Sequence, residues 1–566
     1  MQSTLELMDW AVIALYFVGI GLIAWWSGRN QKDTTDYFLA GRNAGFFAIG
    51  ASIFTSNIGS EHIVGLAGQG ASTGMAMAHW ELHAWVMILL AYVFVPFYYK
   101  SGVYTIPEFL EKRFSSKSRL LLSLVSLVAY IFTKVSVTVY AGALVFQVLM
   151  PDTFGSPEAA FWVGAFMTVI LTGLYTVFGG MKAVLYTSAP QAIILIFGSC
   201  LITFYGLSKL GGWGHLVEMA SANSEQFALW RPLSDPDFPW LGVLIASPII
   251  GVWYWCTDQY IVQRTLTAAN LKQARKGALF GGLLKVTPVL IFLIPGLIGW
   301  ALHQEGVITI PSKILPTGES VIDGDMVFPT LVSSLLPVGI RGLIVASMLA
   351  ALMSSLASLF NSSASLFTVD IYEKMRPGMP PAHYVFAGRV ATTVVVGAGM
   401  LWIPVMKLVA GGGLYQYLQS VQGYLAPPIT AVFLLGLFWK RINAHGAAWG
   451  LGAGFGLGML KLTIQTFFGA SDAKFSDPAF LAAIGDFNFL YATGVLFALS
   501  IVIVIVASFM TEPPPAEKAA LTYGEMIKGK DAEEIKSSWD AGNKTLTAII
   551  AFLVVGLYLY FSFWLG

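Results

Sequence analysis

Roughly fourteen runs of about twenty predominantly apolar residues follow one another along this chain, each long enough to span a bilayer as a helix. Their approximate limits are 10–28, 44–71, 80–99, 120–150, 159–180, 186–208, 240–263, 277–303, 339–371, 385–406, 413–438, 444–467, 485–509 and 545–565. Of the 566 residues 56% are hydrophobic and 11% charged, where soluble domains carry about 25% charged residues. A chain of this composition cannot cover a water-exposed surface of its size. It reads as an all-α polytopic membrane protein.

Orientation follows from the loops, because Lys and Arg accumulate in short cytoplasmic ones. The odd-numbered loops hold about 21 of them, among them Arg29, Lys100, Lys112, Arg113, Arg264, Lys272, Lys374 and Lys440, against about 6 in the even-numbered loops. Odd loops are therefore expected inside and both termini outside, in the plasma (inner) membrane. The opening "MQSTLELMDW" has no basic n-region, so no cleavable signal is expected and the first run is a retained span. Residues 304–338 are expected outside, with a short helix in "MVFPTLVSSLL". Residues 510–544, with three prolines and mixed charge, are expected inside; they leave room for a short surface helix but are the segment whose composition most resembles disorder.

Several chemistries find no support. Net charge is +1 with a pI near 7.7, which gives no sign of nucleic-acid binding. Cys200 and Cys256 lie in apolar runs without metal-ligand spacing. "GLAGQG" (65–70) and "GAGFGLG" (452–458) follow no strand, and Gly450, Gly454 and Gly458 share a helix face that permits close packing. There is no nucleotide site and no nucleophile–His–acid set, so the chain is not read as an enzyme.

Polar groups inside spans are expensive and mark pathways or partners. Here they cluster. The second span has Ser56, Asn57, Ser60, Glu61 and His62; the third has His79, Trp80, Glu81 and His83. The fourth has Lys134, the seventh "GVWYWCTDQY" (251–260), and the eighth Lys285. The ninth carries Ser354, Ser355, Ser358 and Asn361, and the eleventh Gln416, Gln419 and Gln422. Asn57 and His62 are five residues apart, so a continuous helix would spread them by about 140°. A break at Ile58-Gly59-Ser60 re-aims them, and Gly251 permits irregular backbone before Trp253. Interrupted helices five spans apart suit a five-plus-five inverted repeat over spans two to eleven with a midplane site.

Unwound backbone frees carbonyls, and a small cation is a natural partner for them. Ala351, Ser354 and Ser355 lie on one helical face and make a hard-oxygen site suited to Na⁺. Helical serines also bond the carbonyl four residues back, and from the serines alone that reading is favoured. A sugar needs amides, a carboxylate and a cation around its edge and an aromatic on its face. Asn57, His62, Glu81, Lys285 and Gln419 can supply the edge; Tyr254 and Trp255 can supply the stack. Each also has a structural reading. Lys285 snorkels or pairs with a carboxylate, His62 is a core histidine, Glu61 neutralises Lys134 or another cation, and Asp258 pairs with Arg264 or another basic group near the cytoplasmic end. Trp253 is expected to pack outward against helices or lipid.

The stretches "DYFLAGR" (36–42), "SNIGSEHIVGLAG" (56–68), "GVYTIPEFLEKRF" (102–114), "YIFTKVS" (130–136), "VWYWCTDQYIVQRTL" (252–266), "MSSLASLFNSSASLFTVDIY" (353–372) and "YLAPPITAVFLLGLFWKR" (424–441) resemble the sodium/solute symporter family, in particular its sodium–glucose cotransporter branch. The resemblance implies a LeuT-type core at 36–441, preceded by a first helix and loop at 1–35 and followed by helices twelve to fourteen at 442–566. It implies a sugar site at Asn57, His62, Glu81, Tyr254, Trp255, Lys285 and Gln419, with Tyr254 as inner gate. It also implies a sodium site at Thr55, Ile58, Ala351, Ser354 and Ser355, the first three through backbone carbonyls. Ser188 stands where the family often has an acidic residue, Gly251 where some members have Thr, and Trp80 where Phe is common. The expected function is Na⁺-coupled import of a hexose, glucose or galactose, by alternating access. No cofactor beyond the coupling ion and no obligate protein partner is expected. A myo-inositol, sialic acid or other polyol symporter is the alternative, as is a sugar sensor or sugar-gated cation channel on the same fold.

Overall fold

The computed structural model describes residues 5–29, 31–59, 61–151, 153–314, 320–409, 414–469, 478–529 and 531–565. Among these, twelve helices are long and apolar enough to cross a bilayer. Two of the expected spans differ from that simple form. The second is a short helix, Phe46–Asn57, that breaks and continues into His62–Ser101, which also contains the third. The fourth combines Ser116–Ala129, a wide turn and the short apolar helix Ser136–Leu149. The fifth and sixth join as Pro157–Leu210, interrupted at Gly180. There φ is +56° and an added Cβ would stand 2.7 Å from the Tyr37 carbonyl oxygen, so the corner demands glycine twice over.

The two interruptions that matter most fall in the second and seventh spans. Ile58 leaves the helix at φ −77°, ψ 98°. In the seventh span Trp240–Val252 passes into a wide turn, Trp253–Thr257, and Asp258 is extended at φ −81°, ψ 124°. The break therefore lies at Asp258 and not at Gly251. Gly251 serves contact instead: an added Cβ would meet the His83 ring at 3.2 Å. Further wide turns occur at Glu61–Leu66, Leu90–Phe94, Val289–Leu293 and Leu366–Tyr372. Such turns cluster at functional sites in helical proteins.

Glycines allow close packing elsewhere. A Cβ on Gly68 would lie 2.7 Å from Gly324 of the 304–338 segment. That segment holds a hairpin, Ser312–Ile314 with Ser320–Ile322, and the expected short helix, Val327–Leu335. In the twelfth span Gly450, Gly454 and Gly458 face Val504, Pro428 and Tyr424. Gly454→Val is expected to cost about 1–3 kcal/mol by overpacking, because a Cβ there would already meet Pro428 at 2.5 Å and the Ser500 hydroxyl at 2.9 Å. Gly456→Val, on a face with nothing near its Cβ, is the control. Equal melting temperatures for the two purified variants would contradict this packing.

The segment 510–544 is not the disordered loop its composition suggests. Its described residues include three short helices, Ala516–Ala519, Tyr523–Met526 and Ala532–Ser537, strapped to one end of the bundle. Lys100 pairs with Asp531 at 3.0 Å, Lys272 with Asp540 at 2.8 Å, and Lys440 with Glu525 at 2.5 Å. Arg275 donates to the Ile535 carbonyl at 2.6 Å, and Trp539 packs edge-on against Tyr92. Loop cations counted above as topology signals thus also anchor this strap.

Candidate functional site

The break after Asn57 decides where the second span's polar side chains point. The chain leaves helix at Ile58, so His62 returns over Asn57, with Nε2 3.2 Å from the Asn57 amide. The same Nε2 lies 3.2 Å from Glu81 Oε2. If that nitrogen carries the proton donated to the carboxylate, Asn57 presents its amide oxygen. Lys285 Nζ donates to the same Glu81 oxygen at 2.5 Å and sits 5.4 Å from the centre of the Trp255 ring. Three spans are thereby tied by one buried carboxylate, and the alternative that Lys285 pairs with an acid holds in this conformation.

Asn57, His62, Glu81, Tyr254, Trp255, Lys285 and Gln419 all line one cavity, together with Trp80, His83, Ile250 and Gln422. The cavity is about 30 Å³, above the roughly 10–15 Å³ needed to admit a water. Four buried polar atoms on its lining side chains have no hydrogen-bond partner among the described residues: His62 Nδ1, Trp80 Nε1, Gln419 Oε1 and Gln422 Nε2. Native interiors seldom leave such atoms bare, so a ring of donors and acceptors around one small space points to a polar ligand. His83 and Gln422 stood out in the sequence only as polar groups in apolar runs, and Trp80 also as a departure from the Phe common at its position. Ile250 gave no signal, because an isoleucine in an apolar span looks like any other.

Tyr254 forms the boundary of this site. Its ring packs edge-on against Trp255, with centroids 4.9 Å apart, and on another side approaches Lys134 Nζ at 4.6 Å. Lys134 pairs with Asp258 at 2.7 Å, and the Tyr130 hydroxyl donates to the same carboxylate. Tyr130, Trp253 and Tyr260 complete an aromatic ring around the ammonium at 5.4, 5.1 and 4.7 Å. One open reading is resolved here and one expectation is corrected. Of the basic groups open to Asp258, the partner is Lys134 rather than Arg264, and Trp253 faces inward. Attraction between a cation and ring faces in a desolvated setting explains the last.

The expected cation ligands gather one turn away. Ser355 Oγ lies within donating distance of the Ser56 carbonyl (2.9 Å) and the Ile58 carbonyl (3.3 Å). Ser354 Oγ is 3.4 Å from Thr55 Oγ1, so Thr55 meets the ninth span through its hydroxyl. The backbone explains why these carbonyls are available: the His62 N–H bonds the Gly59 carbonyl instead of that of Ile58. Ala351 is buried one turn before Ser355. The Ser56 carbonyl, which also accepts from the Tyr260 hydroxyl, was not anticipated. These are neutral oxygens of the kind a hard monovalent cation takes, and the donor set fits one. Ser60 and the side chains of Glu61 and Gln416 lie outside the described residues.

A family model described as "Sodium:solute symporter family" matches residues 37–454. The chain is 38% identical to sodium/glucose cotransporter 4 of Danio rerio, over 95% of this chain and 84% of that protein. It is 37% identical to the sodium/myo-inositol cotransporter of Homo sapiens, over 92% of this chain and 76% of that protein. With sodium/glucose cotransporter 1 of Oryctolagus cuniculus it shares 37% identity, over 90% and 79%. Among solved structures it superposes on a substrate-bound, outward-open Na⁺-coupled sialic acid symporter with a TM-score of 0.73, at 24% identity, covering 90% of this chain and 99% of that one. Mhp1, a nucleobase-cation-symport-1 family transporter, matches at a TM-score of 0.52 and 16% identity, covering 88% and 99%. These likenesses are of fold, and the fold is the LeuT-type inverted repeat.

Proposed function

Since the chain belongs to the sodium:solute symporter family, a class of Na⁺-coupled multi-pass membrane carriers, we propose that its solute is a hexose, glucose or galactose, taken inward by alternating access. The observation that carries this reading is the ring of unpartnered polar atoms on His62, Trp80, Gln419 and Gln422 around a cavity bordered by Tyr254 and Trp255. A pyranose matches that ring with hydroxyls and the aromatics with its apolar face. Glu81, Lys285 and Asn57 exchange their mutual bonds for sugar hydroxyls, and Tyr254 stacks beneath the ring as the inner gate.

Na⁺ sits at the break of the second span, on Thr55, Ile58, Ala351, Ser354 and Ser355, with the Ser56 carbonyl added. Holding those carbonyls fixes the course of the chain between Asn57 and His62, two members of the sugar site. That is the physical link between ion and solute: each favours the same arrangement of one broken helix. The core is 36–441, flanked by 1–35 and 442–566, with both termini outside in the plasma (inner) membrane. Myo-inositol is the second reading, favoured by relatives of that name at equal identity; it offers a ring of hydroxyls of similar size.

Proteoliposome uptake of labelled glucose, galactose, myo-inositol and sialic acid, with and without an inward Na⁺ gradient, decides between them. Accumulation above equilibrium of a hexose supports carriage and excludes a sensor or sugar-gated channel; no sodium-stimulated hexose uptake overturns the proposal. Ser355→Ala is expected to raise the Na⁺ concentration for half-maximal uptake about tenfold, the loss of roughly one good ligand contact. Unchanged sodium dependence in that variant removes Ser355 from the ion site.

A further inference from the structure

Arg264 ends the seventh span with none of its surface exposed. Its Nε lies 3.0 Å from the Ser56 hydroxyl and 3.3 Å from that of Ser52. Its terminal nitrogens Nη1 and Nη2 are buried and have no hydrogen-bond partner among the described residues. No carboxylate among those residues pairs with it: Asp258, the acid six positions before it, belongs to Lys134. Arg113 is buried too, but bonds the carbonyls of Gly436 and Trp439 at 2.9 and 3.1 Å, and Arg119 pairs with Asp370 at 2.6 Å. Arg264 has only hydroxyls and the Tyr260 ring, 5.4 Å away. A guanidinium does not discharge by losing its proton, and a buried charge without a counter-charge is strongly unfavourable.

The groups around it are suited to an anion. Ser188 Oγ is 3.3 Å from Ser52 Oγ and Ser358 Oγ 2.8 Å from Ser56 Oγ. Ser52, Ser56 and Ser188 are all fully buried, and a monatomic ion asks for less room among them than a carboxylate or phosphate would. From this geometry we infer that Arg264, with the hydroxyls of Ser52, Ser56 and Ser188, binds a small monovalent anion, chloride under ordinary conditions. The site has a consequence for the cation. Ser56 touches both, its hydroxyl on Arg264 and its carbonyl on Ser355, so a bare guanidinium repels Na⁺ at short range and a chloride beside it removes that repulsion. This second step rests on the sodium site proposed above; the anion site does not.

Thermal unfolding of the purified protein in potassium chloride against potassium gluconate, without sodium or sugar, reads the anion site alone. Chloride is expected to raise the melting temperature saturably, as a ligand of the native state does. Arg264→Gln is expected to abolish the difference. Ser188→Asp, which brings a tethered carboxylate to Ser52 and Arg264, is expected to abolish it as well and covers the case that Arg264→Gln fails to fold. In proteoliposomes, gluconate in place of chloride is expected to weaken the apparent sodium affinity about tenfold, with Ser188→Asp indifferent to the anion. Equal melting temperatures in the two salts overturn the site, as does a chloride effect that survives in Ser188→Asp. A chloride-dependent melting temperature in a protein without sodium-driven hexose uptake leaves the anion site standing and counts against the transport reading instead.

Discussion

Glu81→Gln is expected to lower sodium-driven hexose uptake by at least about a hundredfold, equivalent to about 2.7 kcal/mol. Glu81 Oε2 is the one oxygen on which both Lys285 and His62 converge, and all three side chains are buried. An amide in its place keeps one acceptor oxygen but removes the negative charge and offers N–H in place of the second. Breaking a buried pair from one side strands the other charge, at roughly 3–5 kcal/mol. Stability and uptake are separated by pairing the change with Lys285→Met. The double variant is expected to recover most of the melting temperature, because no charge is stranded, and to recover none of the uptake, because the sugar's partners are gone. Near-normal uptake in Glu81→Gln, with the protein folded by size exclusion, sinks the assignment.

Asp258→Asn is expected to act on the fold before it acts on the solute, lowering stability by about 3–5 kcal/mol. Lys134 would then lie among Tyr130, Trp253, Tyr254 and Tyr260 with ring faces as its only counterweight, each worth about 0.5–2 kcal/mol. Lys134→Met in the Asp258→Asn background is expected to restore part of the loss, a positive coupling in the double-mutant cycle. A melting temperature for Asp258→Asn equal to that of the parent would show that the pair carries no stability.

The polar constellation around the cavity was legible because membrane spans make polar residues conspicuous. Asn57, His62, Glu81, Lys285 and Gln419 each interrupt an apolar run, and all five reach one cavity. Partner choice was less legible. Asp258 stands six residues from Arg264 and 124 from Lys134, yet the distant cation wins, because the wide turn at Trp253–Thr257 and the extended Asp258 aim the carboxylate toward the fourth span. Trp253 was misplaced because the Lys134 ammonium that its ring faces comes from a distant span. The strap at 510–544 was missed because its cohesion comes from elsewhere in the chain. Lys100, Lys272, Arg275 and Lys440 supply it, and a local reading of composition contains none of them. Ile250 and the Ser56 carbonyl were invisible on principle, one an apolar residue among apolar residues, the other a backbone atom that every residue has.

The way Glu81, Lys285, His62 and Asn57 hold one another around the cavity bears on discrimination between solutes. A binding site whose buried donors and acceptors have no other outlet rejects a ligand lacking one hydroxyl by factors of about 10⁴–10⁵. Here the abandoned group has somewhere to go: Glu81 falls back on Lys285, and His62 on Asn57. A deoxy sugar that loses its contact to this quartet therefore forfeits a single contact and incurs no additional unpaired group. On the proposed reading tolerance is set by that self-closing edge, while Gln419 and Gln422, each with an atom that has no such fallback among the described residues, mark the side of the ring on which the protein is exacting.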